Sequence, residues 1–170
     1  MQVTSIGHAG FYIESTAGSI LCDPWVNPAY FASWFPFPDN SQLNWDAYRE
    51  PDYLYISHLH HDHFDPEFLR VGVSHEVPVL LPDYQTKDLE RELREIGFTN
   101  FQVLPNSEPV LLDNGLRVMI VALVSPSDGP IGDSALAVDD GDARILNQND
   151  AKPIDLEVVR SFGRYDVHFL

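Results

Sequence analysis

The sequence predicts a mixed α and β fold in which two series of strands are each followed by helical segments. Two observations predict it. Short β-rich runs bounded by Gly, Pro, Asn and Asp recur as far as residue 147, and the stretches between or after them carry helix caps and apolar stripes of helical period. With 170 residues, 44% hydrophobic and 21% charged, the chain is expected to be one globular domain over residues 1–170, large enough to bury its own core.

Taken in order, residues 3–6, 11–14 and 19–22 read as strands, the last two joined by a turn at Ala17-Gly18. Residues 25–45 are the least regular part, where Trp25, Tyr30, Phe31, Trp34, Phe35, Phe37 and Trp45 are interleaved with prolines. So many rings are costly to leave in water. They are expected to form an apolar wall over a functional site, with Trp25 and Trp34 as candidate substrate contacts; a contact between copies of the chain is the other reading. Residues 53–57 are an apolar strand run. Asp65 and Pro66 then supply the cap and first position of a short helix through Phe68 and Leu69. A strand at 77–81 precedes a helix expected to be capped by Asp83, striped by Leu89, Leu93 and Ile96, and stopped by Gly97. Residues 101–104 are expected to open the second strand series, and 110–112 and 116–124 to flank a hairpin turn at Asp113-Asn114-Gly115. A further hairpin pairs 134–138 with 143–147. Pro153 is expected to open a helix bearing Leu156 and Val159 and ended by Gly163, and residues 165–170 read as a strand with His168 packed inside it.

The chemistry concentrates at residues 58–63, His58-Leu59-His60-His61-Asp62-His63, which hold four of the seven histidines directly after the 53–57 run. Imidazole and carboxylate bind borderline divalent metals, and alternate residues of an extended segment project the same way, so His58, His60 and Asp62 can converge. His63 joins them through the turn that Asp65-Pro66 supplies. His58 and His60 can then hold one ion while Asp62 and His63 hold a second; His61, of opposite parity, points away. An accidental solvated cluster is disfavoured by the strand before it and the capped helix after it. Asp23, at a strand end before Pro24, is a candidate to orient a ligand histidine through its distal N–H, or else a plain turn-former.

The pattern His58-x-His60-x-Asp62-His63 resembles the metal signature of the metallo-β-lactamase superfamily. More narrowly, Ile6-Gly7-His8-Ala9-Gly10-Phe11, Leu21-Cys22-Asp23-Pro24-Trp25, Ile56-Ser57-His58-Leu59-His60 and Arg144-Ile145-Leu146-Asn147-x-x-Asp150 together resemble its branch of ascorbate-phosphate lactonase-like and CMP-N-acetylneuraminate monooxygenase-like proteins. The resemblance implies a four-layer αββα sandwich with the metal loop at one edge where the sheets meet, an Asp150 that bridges two ions, and a His8 just outside their coordination shell. It also implies a third histidine after the strand ending near residue 124, and residues 125–133 contain none. Asp128 is the nearest substitute, with Asp133 behind it, the other reading of either being an ordinary loop residue; a carboxylate ligand there shifts preference from zinc toward iron or manganese. Family members continue past residue 170 and place their last metal ligand there, so the chain is expected to be incomplete at its C-terminus.

Ten basic against 26 acidic residues give a net charge of −16, so neither a nucleic-acid nor a membrane partner is expected. Cys22 is the single cysteine, which leaves no intrachain disulfide and no Rieske-type cluster within these residues. No leader pattern and no apolar run of about 18 residues occurs, which makes the cytoplasm the expected compartment. The expected function is metal-dependent hydrolysis of a small-molecule substrate, with two divalent ions, zinc first and iron or manganese as alternatives, lowering the pKa of bound water. Asp62, able to move a proton, and Asp150 are the candidate catalytic carboxylates. Two alternatives stay open: a non-haem diiron oxygenase acting on a bulky or apolar substrate with electrons from a donor protein, and a metal-binding module without activity.

Overall fold

The computed structural model describes residues 1–123, 132–152 and 155–170. Among these residues the strands form two sheets. The first runs, in spatial order, β1 (Gln2–Gly7), β2 (Gly10–Ser15), β3 (Gly18–Cys22), β4 (Tyr53–Tyr55), β5 (Val79–Pro82) and β6 (Phe101–Leu104). The second runs β7 (Val110–Leu111), β8 (Arg117–Leu123), β9 (Asp133–Asp139), β10 (Arg144–Asn147) and β11 (Val167–Phe169). Three α-helices accompany them: α1 (Pro66–Gly72), α2 (Asp88–Ile96) and α3 (Leu156–Ser161).

Connections dictate the pairing. Tight turns make β1, β2 and β3 antiparallel, whereas β3 to β6 are mutually parallel, α1 lying in the connection from β4 to β5 and α2 in that from β5 to β6. This corrects one expectation. Residues 101–104 do not open the second series; the α2 crossover returns the chain parallel to β5, so β6 completes the first sheet. The Asp113-Asn114-Gly115 turn then starts the second sheet, with Gly115 at φ +94°.

Strand alternation builds the layers. Val118 and Ile120 of β8 face Tyr53, Tyr55 and Leu80 between the sheets, while Met119 and Val121 face outward onto Val159 and Phe162 at α3. On the other side Leu21, Leu54 and Val79 face Leu69 of α1 and Leu89 and Leu93 of α2. Helix, sheet, sheet and helix therefore stack as an αββα sandwich with an apolar core in each of the three gaps.

Several local expectations change. Asp83 does not cap α2: the helix starts after Lys87, whose ammonium pairs with Asp83 at 3.2 Å. Gly97 ends α2 at φ +130°, its N–H donating to the Leu93 carbonyl. Asp155 caps α3 through the Glu157 and Val158 N–H groups, Leu156 faces solvent, and Pro153 lies outside the described residues. His168 is exposed rather than packed, because on the edge strand β11 it is Phe169 that meets the sheet, against Phe11; the His168 ring bonds Gln148 at 3.0 Å instead.

Asp65 ties the metal-loop helix to the aromatic loop. It is buried, caps α1 at the Phe68 N–H (2.9 Å), and accepts the Val26 and Asn27 N–H groups at 3.0 and 2.7 Å. Asp65→Ala strands these donors and is expected to cost about 3 kcal/mol, roughly 1 for the cap and the rest for the charge-assisted bonds. Urea titration measures this, and a loss below about 1 kcal/mol would dismiss the tie.

Candidate metal centre

Parallel pairing delivers β3 and β4 to the same edge of the sheet, so the residues just after each strand meet there. Asp23 comes directly after β3 in a left-handed conformation, φ +41°, and its N–H extends the pairing to the Tyr55 carbonyl at 3.0 Å. Its wholly buried carboxylate then receives four groups. Oδ1 accepts the Ser57 N–H at 2.7 Å; Oδ2 accepts Ser57 Oγ and Asn149 Nδ2, both at 2.6 Å, and lies 3.2 Å from His63 Nδ1. One carboxylate thus fixes the end of β4, the metal loop and the loop after β10. Within the metal loop the His63 and Phe64 N–H groups both donate to the His60 carbonyl, at 2.9 and 2.8 Å, and this single turn brings His63 back under the strand end.

Six donors result, in two groups of three. His8, Asp62 and His63 form one; His58, His60 and Asp150 form the other; within each, the ligand atoms lie within 4.8 Å of one another. Donors about 2.1 Å from a tetrahedral ion stand roughly 3.4 Å apart, so small side-chain closures bring either group to bonding geometry. The groups adjoin at His63, whose Nε2 faces Asp62 at 3.7 Å and Asp150 at 3.5 Å. That nitrogen is buried and, among the described residues, has no hydrogen-bond partner. A buried nitrogen aimed between two carboxylates suits a cation, and the donor chemistry therefore fits a metal.

Outer partners fix which ring nitrogen faces inward. His58 Nδ1 is held by Ser57 Oγ at 2.9 Å and by Asp133 at 3.4 Å, which turns Nε2 toward His60 Nδ1 at 2.8 Å. His63 Nδ1 is held by Asp23. Such distal contacts set tautomer and ring angle. The electrostatics separate the two histidines. Burial, aided by the charge of His63, pushes the His58 imidazole down to about 4. Burial also acts against charge on His63, but the Asp150, Asp23 and Asp62 carboxylates outweigh it and hold the ring up at about 10. For Asp62, burial favours the neutral acid and is outweighed by hydrogen bonds from His8 and Tyr30, which hold the carboxyl well below the usual range. Asp133 is lifted to about 7, first by burial and then by Asp150 and Asp23, against a bond from the Ser134 N–H.

The structure brings together His58, His60, Asp62, His63 and Asp150, with Asp23 behind them, and places His8 among the donors, its Nε2 3.0 Å from Asp62 Oδ2. Asp128 lies outside the described residues. Trp25 is buried edge-on against His8 at 5.0 Å, its indole N–H donating to the Asn27 carbonyl. Trp34 is half exposed against the Tyr30 ring at 5.1 Å. Phe31, Phe35 and Phe37 face solvent instead of walling the donors, since the Ala29–Trp34 bridge turns that stretch outward, and Trp45 packs on Phe68 in the core. Sequence reasoning missed two groups, Asn149 at Asp23 and Tyr30 Oη at Asp62 Oδ1, 2.8 Å away, while Asp133, the candidate behind Asp128, proves a buried strand residue beside His58 Nδ1. Asn149 carried a weak signal as an asparagine directly before Asp150, a residue type enriched at left-handed turn positions, and it does adopt φ +61°. Tyr30 carried none beyond its place in the aromatic loop.

A family model described as a β-lactamase superfamily domain matches residues 2–130. The chain belongs to that superfamily. Over its whole length this superfamily member is 62% identical, across 174 aligned residues, to a Mycolicibacterium smegmatis protein provisionally named a Rieske 2Fe-2S iron-sulfur protein, of which it covers 34%. It is 26% identical over 88% of its length to the cytidine monophosphate-N-acetylneuraminic acid hydroxylase of Mus musculus, covering 26% of that protein. The chain thus spans about a third or less of the length of these curated relatives. Among solved structures, CmlA, a diiron β-hydroxylase from Streptomyces venezuelae, superposes with a TM-score of 0.74 at 21% identity, covering 99% of this chain and 34% of CmlA. A protein of Veillonella parvula, provisionally named a metal-dependent hydrolase, superposes at 0.76 with 16% identity, covering 99% and 70%. At these identities the superpositions establish the metallo-β-lactamase fold. No helix among the described residues is long and apolar enough to cross a membrane.

Proposed function

We propose that these residues hold two metal ions serving an oxygen-dependent hydroxylation in which electrons arrive from an iron–sulfur centre elsewhere. The observation that carries the dinuclear site is His63 Nε2, buried where the two donor groups adjoin and, among the described residues, without a hydrogen-bond partner. The redox direction is supported by 62% identity over the whole chain to a protein named for a Rieske cluster. Such a cluster takes two cysteines and two histidines, and the single Cys22 is buried, so a cluster of this type does not lie within residues 1–170.

His8, Asp62 and His63 would hold one ion and His58, His60 and Asp150 the other, with Asp150 positioned to reach both. When bound, iron would supply redox equivalents and Lewis acidity. Asp23 and Ser57 orient His63 and His58. Asp62, held ionised by its bonds from His8 and Tyr30, is placed to bind as an anionic ligand through Oδ2. A small-molecule substrate has access through a cleft of about 180 Å³ lined by His8, Phe11, Asn149 and Asp150.

Hydrolysis is the second reading, favoured by a donor set of imidazoles and carboxylates that suits zinc as well as iron. Metal analysis of anaerobically purified protein, with an assay of O₂ uptake, decides between them. Two irons and reductant-dependent uptake are expected. Stoichiometric zinc with ester or lactone cleavage would replace the hydroxylase by the hydrolase, and absence of any bound metal defeats both.

A further inference from the structure

We infer that Tyr30 is a positioning residue for the ion at His8, Asp62 and His63: its hydroxyl engages one oxygen of Asp62 and leaves the other to the metal. The inference rests on the dinuclear reading above. Tyr30 Oη donates to Asp62 Oδ1 at 2.8 Å, whereas Asp62 Oδ2 faces His8 Nε2 at 3.0 Å and His63 Nε2 at 3.7 Å. The two oxygens of one carboxylate are thus given different work, and an otherwise free carboxylate can bind an ion through one oxygen or two.

The backbone supports this assignment independently. Tyr30, Phe31 and Ala32 have φ of +49°, +59° and +56°, three successive left-handed residues with side chains. Each is unfavourable, and such a run persists only where its surroundings over-determine it. Here they do: Ala29 and Trp34 bond each other's backbone in both directions at 3.0 and 3.2 Å, and Ser33 Oγ donates to the Tyr30 carbonyl at 2.6 Å. Core packing does not explain the run, because Phe31 is fully exposed. What it secures on its inner side is the Tyr30 hydroxyl. The ring is held separately, edge-on to Trp34 at 5.1 Å and to His61 at 5.7 Å. Tyr30→Phe should therefore delete the contact to Asp62 and keep the ring in place.

The test titrates the chelator-stripped chain and its Tyr30→Phe variant with cobalt(II), following visible absorption and heat. Wild type is expected to take up two ions in two phases, and His8→Ala identifies the phase belonging to the Tyr30 side. In Tyr30→Phe that phase alone weakens by about 10- to 100-fold, with a changed absorption band, while the metal-free melting temperature falls by no more than the few degrees one lost charge-assisted bond costs. Two unchanged phases overturn the inference, and so do two equally weakened phases with a larger fall in melting temperature, which mark a general structural role. Wild-type protein that takes up no cobalt overturns the metal reading itself.

Discussion

His63→Ala is expected to remove at least one of two bound ions and to lower activity by more than about a hundredfold, beyond what loss of an outer-shell partner alone does. The position explains the size of the effect. The His63 side chain is wholly buried, and its nitrogens face three carboxylates, Asp23 at 3.2 Å, Asp150 at 3.5 Å and Asp62 at 3.7 Å. Without an ion these carboxylates share the imidazolium as their common counter-charge. Removing it leaves them facing one another, so the metal-free variant is also expected to lose about 3–5 kcal/mol, the usual cost of stranding a buried charge. Metal analysis by mass spectrometry and urea titration of the stripped protein check the two halves separately. His168→Ala is the control, because that histidine is exposed and bonds only Gln148 among the contacts described; it should keep both ions. A His63→Ala protein that keeps two equivalents of metal would remove His63 from the site.

How much of this is legible in the sequence depends on how far each contact reaches along the chain. His58, His60, Asp62 and His63 lie on one strand end and one turn, so local geometry largely fixes their mutual placement, and alternation together with a capped helix is enough to single them out. The hairpins and the α1 cap are equally local. The sheet to which residues 101–104 belong is not: it depends on where the α2 crossover returns the chain, and the run itself looks the same in either sheet. The same holds at the site. His8 reaches Asp62 across 54 residues, Asn149 reaches Asp23 across 126, and Tyr30 reaches Asp62 only because three residues adopt a conformation their types disfavour. Asp133 reads from sequence as a loop residue; the start of β9 at that position buries it against His58 instead.

Metal uptake at His63 is expected to compete with a proton across the whole neutral range. The ring is held at about 10, above its ordinary 6.5, by Asp150, Asp23 and Asp62 acting against burial. A raised folded-state pKa means that the metal-free protein has this stabilisation in full below pH 6.5 and loses it as pH rises through 10, a change on the order of a few kcal/mol. His58 has the opposite sign: held down at about 4, it contributes stability above pH 6.5 that is lost as pH falls through 4. An ion needs the neutral His63 ring, so its affinity should rise about tenfold per pH unit below 10, with about one proton released per ion at pH 7 to 8. His58, already neutral there, releases none. Asp133, held up at about 7, can add a proton of its own as the ions offset Asp150 and Asp23, and Asp133→Asn separates that contribution. Calorimetry in two buffers of different ionisation enthalpy counts the protons. Affinity that is flat between pH 6.5 and 9 would remove His63 as a ligand. The stability curves supply a second check, because bound metal stabilises by an amount that grows with its affinity. From pH 6.5 to 9 the metal-free protein should become less stable, and the excess stability of the loaded protein over it should widen.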